Sequence, residues 1–220
     1  MTRRAINALA QELLARLHAA PRMPTPAARA LRREYSALLA QATPPQILTL
    51  ALLLLKEATP LRRFIAYELI FCHRETLTSL RAKHLEQLGR DLDSWGAVDT
   101  FACYLSGPAW RTRQISDTLI AKWARAQNRW WRRAALVSTV PLNRKTLGGN
   151  GDAQRTLRIC HMLRHDRDDM VIKALSWALR ELAKRDAKAV REFLMQYESE
   201  LAPRVLREVR NKITTGLKNP

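Results

Sequence analysis

Residues 168–186 read Asp-Asp-Met-Val-Ile-Lys-Ala-Leu-Ser-Trp-Ala-Leu-Arg-Glu-Leu-Ala-Lys-Arg-Asp, and their periodicity decides the class of fold. Set at about 100° per residue, Val171, Leu175, Ala178 and Leu182 fall on one apolar stripe. That is the spacing of a helix laid against a core. Asp168 precedes the run as an N-cap candidate. Trp177 lies nearly opposite the stripe, with Lys173, Arg180 and Lys184 at spacings of three and four. A core tryptophan belongs on the stripe, although a neighbouring repeat can bury a second face. Tryptophan among cations also suits a nucleic-acid groove, where cations hold phosphates and the ring offers a flat surface to sugar or base.

The same pattern extends outward in both directions. Only 7 of the 220 residues are glycine, strand-like alternation is absent, and strong helix formers dominate. Thr43-Pro44, Thr59-Pro60, Gly107-Pro108 and Ala202-Pro203 look like helix starts, because proline in a first turn loses no hydrogen bond. Asp152 is a further cap candidate. The predicted helices cover 3–20, 26–41, 44–57, 60–78, 81–92, 95–105, 109–126, 129–139, 152–164, 168–185, 187–199 and 202–217. Consecutive pairs joined by short links predict stacked helical hairpins of the HEAT type, which repeat about every 40 residues. The expected fold is all-α, a right-handed superhelical solenoid of HEAT-like repeats in one domain spanning 1–220. Residues 147–151, Leu-Gly-Gly-Asn-Gly, lack the Gly-Lys-Ser/Thr of a phosphate loop and read as a flexible connector.

Lysine and arginine number 38 against 20 acids, a formal charge of +18. Such a field speaks of partners, and nucleic acid and anionic membrane are the common ones. Membrane insertion is not expected, since the longest apolar run, Ile47 to Leu55, falls well short of the roughly 20 residues a spanning helix needs. Arg3 and Arg4 precede apolar residues, but Gln11, Glu12 and Arg16 interrupt any signal-like run. Cys72, Cys103 and Cys160 are odd in number and read as reduced, buried thiols of a reducing cytosol.

Two more stretches carry chemistry. In Ser94-Trp95-Gly96-Ala97-Val98-Asp99, Ser94 is a cap candidate and Trp95 and Asp99 share a helical face. A carboxylate on a phosphate-binding surface repels the ligand unless it has a task, such as stabilising a sugar cation or placing a water. The bland alternative is a surface aspartate favoured by a helix dipole. In Asn128-Arg129-Trp130-Trp131-Arg132-Arg133, Arg129 and Arg133 share a face, and Trp130 falls with Ala134 and Val137 on an expected core stripe. Arginine forks suit phosphate, but a solvated basic face fits as well. His161 and His165 are four apart, yet Met162 stands where a zinc protease motif needs glutamate, and the cysteines form no CxxC pair. Neither a metal nor any other cofactor is expected.

These stretches resemble a known family. Residues 93–102, Asp-Ser-Trp-Gly-Ala-Val-Asp-Thr-Phe-Ala, resemble the tryptophan–aspartate motif of the AlkD-like DNA alkylation repair family. The run Arg-Trp-Trp-Arg-Arg-Ala-Ala-Leu-Val-Ser from Arg129 resembles its arginine motif, and 168–186 its near-C-terminal helix. Residues 54–74 fit its substrate-proximal helices more loosely. The resemblance implies a concave face gripping double-stranded DNA that contains alkylated purines, in a monomer of the cytoplasm associated with the nucleoid. It implies a monofunctional DNA glycosylase that excises positively charged N3- and N7-alkylpurines. Asp99 matches the catalytic aspartate, Trp95 and Trp177 the tryptophans beside the deoxyribose, and Arg133 the arginine on the lesion-strand backbone, with Arg132 next to it. Arg129, Arg132, Lys173, Arg180 and Lys184 are the remaining expected DNA contacts. Gly96 departs from the family, which commonly has aspartate there. That departure keeps a catalytically silent DNA-structure-binding paralogue as the alternative.

Overall fold

A computed structural model describes residues 1–220, which are helical and contain no strand. The α-helices are α1 (Arg3–Ala19), α2 (Thr25–Leu38), α3 (Pro44–Leu54), α4 (Pro60–Cys72), α5 (Arg74–Ser79), α6 (Ala82–Leu88), α7 (Trp95–Phe101), α8 (Gly107–Arg111), α9 (Asp117–Ala124), α10 (Arg129–Val137), α11 (Val140–Asn143), α12 (Ala153–Met162), α13 (Asp169–Ala183), α14 (Ala187–Gln196) and α15 (Pro203–Thr215). Contacts divide the chain into two compact units, Met1–Arg90 and Asp91–Pro220.

In the first unit, α1 buries Ile6, Ala10, Leu13 and Leu17, one residue per turn, and packs on α3. α2 packs on α4, so helices two apart in sequence lie against each other, as stacked hairpins require. Thr59 starts α4 by accepting from the Arg62 amide, and the Gln46 side chain accepts from the Thr43 amide at 2.9 Å, as expected of those Thr-Pro starts. Glu68 is buried on α4 and neutralised by Arg29 at 3.0 Å and Arg32 at 3.4 Å.

In the second unit, α7, α10, α13 and α15 lie side by side in that order. α9 and α12 pack on each other and on α10. The stripe Val171, Leu175, Ala178 and Leu182 is wholly buried. Asp168 caps α13 through the Met170 amide and Asp152 caps α12 through the Arg155 amide, each at 2.9 Å. The three resembling motifs thus occupy three adjacent helices.

Several expectations change. The helix expected over 60–78 breaks at His73, whose ring accepts from the Thr76 amide and caps α5. The one expected over 109–126 is interrupted after Arg111, where Arg113 takes a left-handed φ of 63° and Ser116 caps α9. Gly107-Pro108 opens α8 with the proline in its first turn, as expected, but no break precedes it. The chain passes from α7 through a π-turn, Ala102–Ser106, into α8. The wider turn takes groups out of the regular ladder, so a proline without an N–H is tolerated beside it. Trp130 does not join the core stripe. It is half-buried under the Arg129 guanidinium at 4.7 Å, while Trp131 packs on Trp123 at 4.8 Å and Phe101 at 6.0 Å. The glycine connector is tightly packed: a Cβ on Gly149 would lie 2.5 Å from the Pro141 carbonyl oxygen, and Gly148 and Gly151 have φ of 80° and 104°. Cys72 is exposed, whereas Cys103 and Cys160 are buried and burial pushes their thiols up, to about 12 for Cys103.

Candidate active site

α7 starts after Ser94, in extended conformation, and buries Ala97, Val98 and Phe101. That leaves Trp95 and Asp99 one turn apart on the free face. Trp95 is 61% exposed, and Asp99 sits lower, against α10. There the buried Arg133 meets it with two parallel bonds, Nε to Oδ1 and Nη2 to Oδ2, both 2.9 Å. This is the fork geometry in which arginine holds a carboxylate most firmly. The remaining nitrogen, Nη1, donates to the Met170 carbonyl at 2.6 Å at the start of α13. All three guanidinium nitrogens are therefore engaged within the chain, and Arg133 acts on Asp99 rather than offering a free fork to a phosphate.

α13 forms the opposite wall. Trp177 faces Trp95 and Asp99 across a cleft of about 440 Å³, which is also lined by Lys173, Arg180, Glu181, Arg144 and Lys218. The Trp177 indole is fixed from two sides: its Nε1 donates to Glu181 at 3.3 Å, and the Arg144 guanidinium lies over the ring at 5.4 Å. Glu181 is buried and accepts from Arg144 at 2.7 Å and from Lys184 at 3.0 Å. Sequence reasoning missed Arg144 and Glu181. Glu181 is four residues from Trp177 and three from Lys184, a spacing that could have found it. Arg144 reaches the site from beyond α11, and no local pattern announces it.

The two carboxyls differ electrostatically. Burial pushes Asp99 above its ordinary value, and the bonds and charge of Arg133 offset only part of that. Burial pushes Glu181 the same way, but Arg144 and Lys184 together outweigh it and hold Glu181 below its ordinary value. Glu181 is thus a fixed anion with its charge spent on two cations. Asp99 is the carboxylate that its surroundings make more basic than usual, and it remains partly open to the cleft, its side chain 19% exposed. Carboxyls whose surroundings drive them apart in this way are suited to separate roles.

The structure brings Trp95, Asp99, Arg133, Trp177, Lys173 and Arg180 together in one cleft. The cations of α13 are not a bare row, because Lys173 pairs with Asp169 at 2.6 Å and Arg180 donates to Ser176 at 3.2 Å. Burial lowers Arg180 somewhat against the pull of Glu208 and Glu181, and it stays a cation. Lys184 lies outside the cleft, bound to Glu181. Arg129 and Arg132 are also outside. Arg129 reaches Asp168 at 3.4 Å, and Arg132 holds Asp166 at 2.7 Å and the Ala126 carbonyl at 3.1 Å. His161 faces the Tyr197 ring at 5.0 Å and His165 meets Glu200 at 2.9 Å, so the two rings serve different neighbours. Gly96 faces open space, with nothing within 4 Å of where a Cβ would stand. An aspartate there would change surface charge and disturb no packing.

The arrangement offers a flat aromatic wall on either side of a guanidinium-held carboxylate, in a chain with an excess of positive charge. No helix is long and apolar enough to cross a membrane. No curated protein matches the sequence. A family model described as DNA alkylation repair enzyme does match, over residues 23–213. That span includes both tryptophans, the carboxylate and its arginine, and by it the chain belongs to the family of DNA alkylation repair enzymes.

Proposed function

We propose that this chain is a monofunctional DNA glycosylase acting on positively charged N3- and N7-alkylpurines in duplex DNA. The observation that carries the reading is the Asp99 carboxylate, held at 2.9 Å by both prongs of Arg133 between Trp95 and Trp177. An alkylated purine already bears the charge that makes it leave. When the N-glycosidic bond breaks, the bonding pair goes to the purine, which becomes neutral, and C1′ of the sugar becomes an oxocarbenium ion. An anion beside C1′ would stabilise that cation, and Asp99 is a carboxylate that lines the cleft between the two tryptophans. Water then adds to C1′ and gives up a proton, for which a carboxylate pushed above its ordinary value is the better acceptor. The tryptophan faces suit the deoxyribose on either side. The reaction needs no lysine nucleophile, and Lys173 is engaged with Asp169.

The test is release of N7-methylguanine from methylated duplex DNA by the wild type and by Asp99→Asn. The substitution keeps an acceptor for Arg133 but removes the charge, so release is expected to fall by a factor of at least about 100, the low end for losing such a group. Duplex affinity is expected to hold or rise, since an anion leaves a phosphate-binding surface. Equal release by both proteins would remove Asp99 from the mechanism. Absence of release by the wild type, with salt-sensitive duplex binding, would establish the silent DNA-binding reading instead.

A further inference from the structure

The glycine connector and the residues before it are not used by the chemistry above, yet they shape a second concavity. A groove of about 310 Å³ is lined by Arg144, Lys145, Thr146, Glu181, Lys184 and Arg185. It shares Arg144 and Glu181 with the candidate active cleft, so the two form neighbouring basins across one wall. Four cations here face a single carboxylate. Glu181 is occupied by Arg144 and Lys184. Arg185 donates only to a backbone carbonyl, that of Asn143, at 2.8 Å. The exposed Lys145 ammonium has no partner in the chain.

The backbone under this groove is fixed. The Asn143 side chain donates to the Thr139 carbonyl at 3.0 Å and to the Thr156 hydroxyl at 2.9 Å, and accepts from the Asp152 amide at 3.0 Å. Gly149 closes the link against the backbone of Pro141 to Asn143, an approach no side chain permits. Lys145 therefore projects from a rigid base, and its charge carries no intramolecular duty. Surplus cations on a preformed concavity are suited to a phosphate, whose capture releases counterions.

We propose that this groove binds the DNA backbone phosphate flanking the nucleotide held in the cleft, with Lys145 and Arg185 as the contacts and Arg144 as the divider between the phosphate and the sugar. The proposal rests on duplex DNA being the partner, and it is independent of whether the base is excised.

The test is the salt dependence of duplex affinity for the wild type, Lys145→Gln, Lys145→Arg and the control Lys188→Gln. Lys188 is 87% exposed on α14 and removes the same charge from outside the groove. Losing one phosphate contact lowers the slope of log affinity against log salt by about one unit. That loss is expected for Lys145→Gln, with no change for Lys188→Gln and the wild-type slope for Lys145→Arg. A wild-type slope in Lys145→Gln overturns the proposal. So does an equal fall in Lys188→Gln, which would mean that only net charge is felt, and so does a wild type with no salt-dependent duplex binding. Release of N7-methylguanine measured on the same proteins separates the two readings. A slope loss without any release would keep the groove and remove the glycosylase. Release with an unchanged slope would do the reverse.

Discussion

At the scale of the residue, the site turns on how Arg133 balances the burial of Asp99. Burial favours the protonated carboxyl and Arg133 favours the ionised one. In Arg133→Gln the second influence is lost, so the carboxyl holds its proton to higher pH. On the proposed mechanism excision requires the anion, so the acid limb of kcat/KM for N7-methylguanine release is expected to move upward, with the maximum also reduced. A limb that stays in place would show that Asp99 is not the group titrating. The same change leaves the ionised carboxylate without its partner at neutral pH, at a cost of about 3 kcal/mol, as when one member of a buried pair is removed. Because a raised folded value means that the fold prefers the protonated form, that cost shrinks as pH falls through it. Part of this was legible. The four-residue spacing of Trp95 and Asp99 put them on one face, and Trp177 stood off its helix's apolar stripe. The partnership of Asp99 with Arg133 was not, because 34 residues separate them and local periodicity carries no information across that span.

At the scale of the element, helices were readable where caps and stripes coincide, as in α13, and unreadable where a break has no punctuation. His73 divides α4 from α5 by capping α5 with a ring nitrogen in place of the usual side-chain oxygen, and Arg113 turns left-handed without being glycine. Gly107-Pro108 opens α8 as read, but the same dipeptide also serves a tight contact: a Cβ on Gly107 would lie 2.6 Å from Pro141 Cγ. Pro141 thus touches two glycines, one on each side, and the segment around α11 is held by backbone proximity. Gly149→Ala is expected to destabilise the chain by about 1–3 kcal/mol, the usual range for overpacking, and to weaken duplex binding through displacement of Lys145. Gly96→Ala, with open space around its Cβ, serves as the contrast and is expected to leave stability near that of the wild type. Thermal denaturation of the two side by side checks this. Equal melting temperatures would mean that the link yields and is not the rigid base it is taken to be.

At the scale of the whole molecule, a charge of +18 sets two responses to salt that run in opposite directions. The excess cations repel one another in the folded chain, and screening relieves that repulsion. The cations already tied to Glu68, Asp99, Glu181 and Glu208 are paired at short range with largely buried acids, where added salt reaches little. Raising salt from about 50 to 200 mM is therefore expected to raise the melting temperature of the free protein slightly. Over the same interval duplex affinity is expected to fall by about a thousandfold or more, the loss for roughly six or more phosphate contacts. Composition foretold the sign of the second response, but it did not say which cations are spent inside the fold, and that depends on pairs such as Arg132 with Asp166 that only the packing creates. A melting temperature that falls with salt would show that exposed ion pairs outweigh the repulsion. It would also mean that fewer cations are free to meet a phosphate than the net charge implies, and the steepness of the binding curve should then fall short in the same proportion.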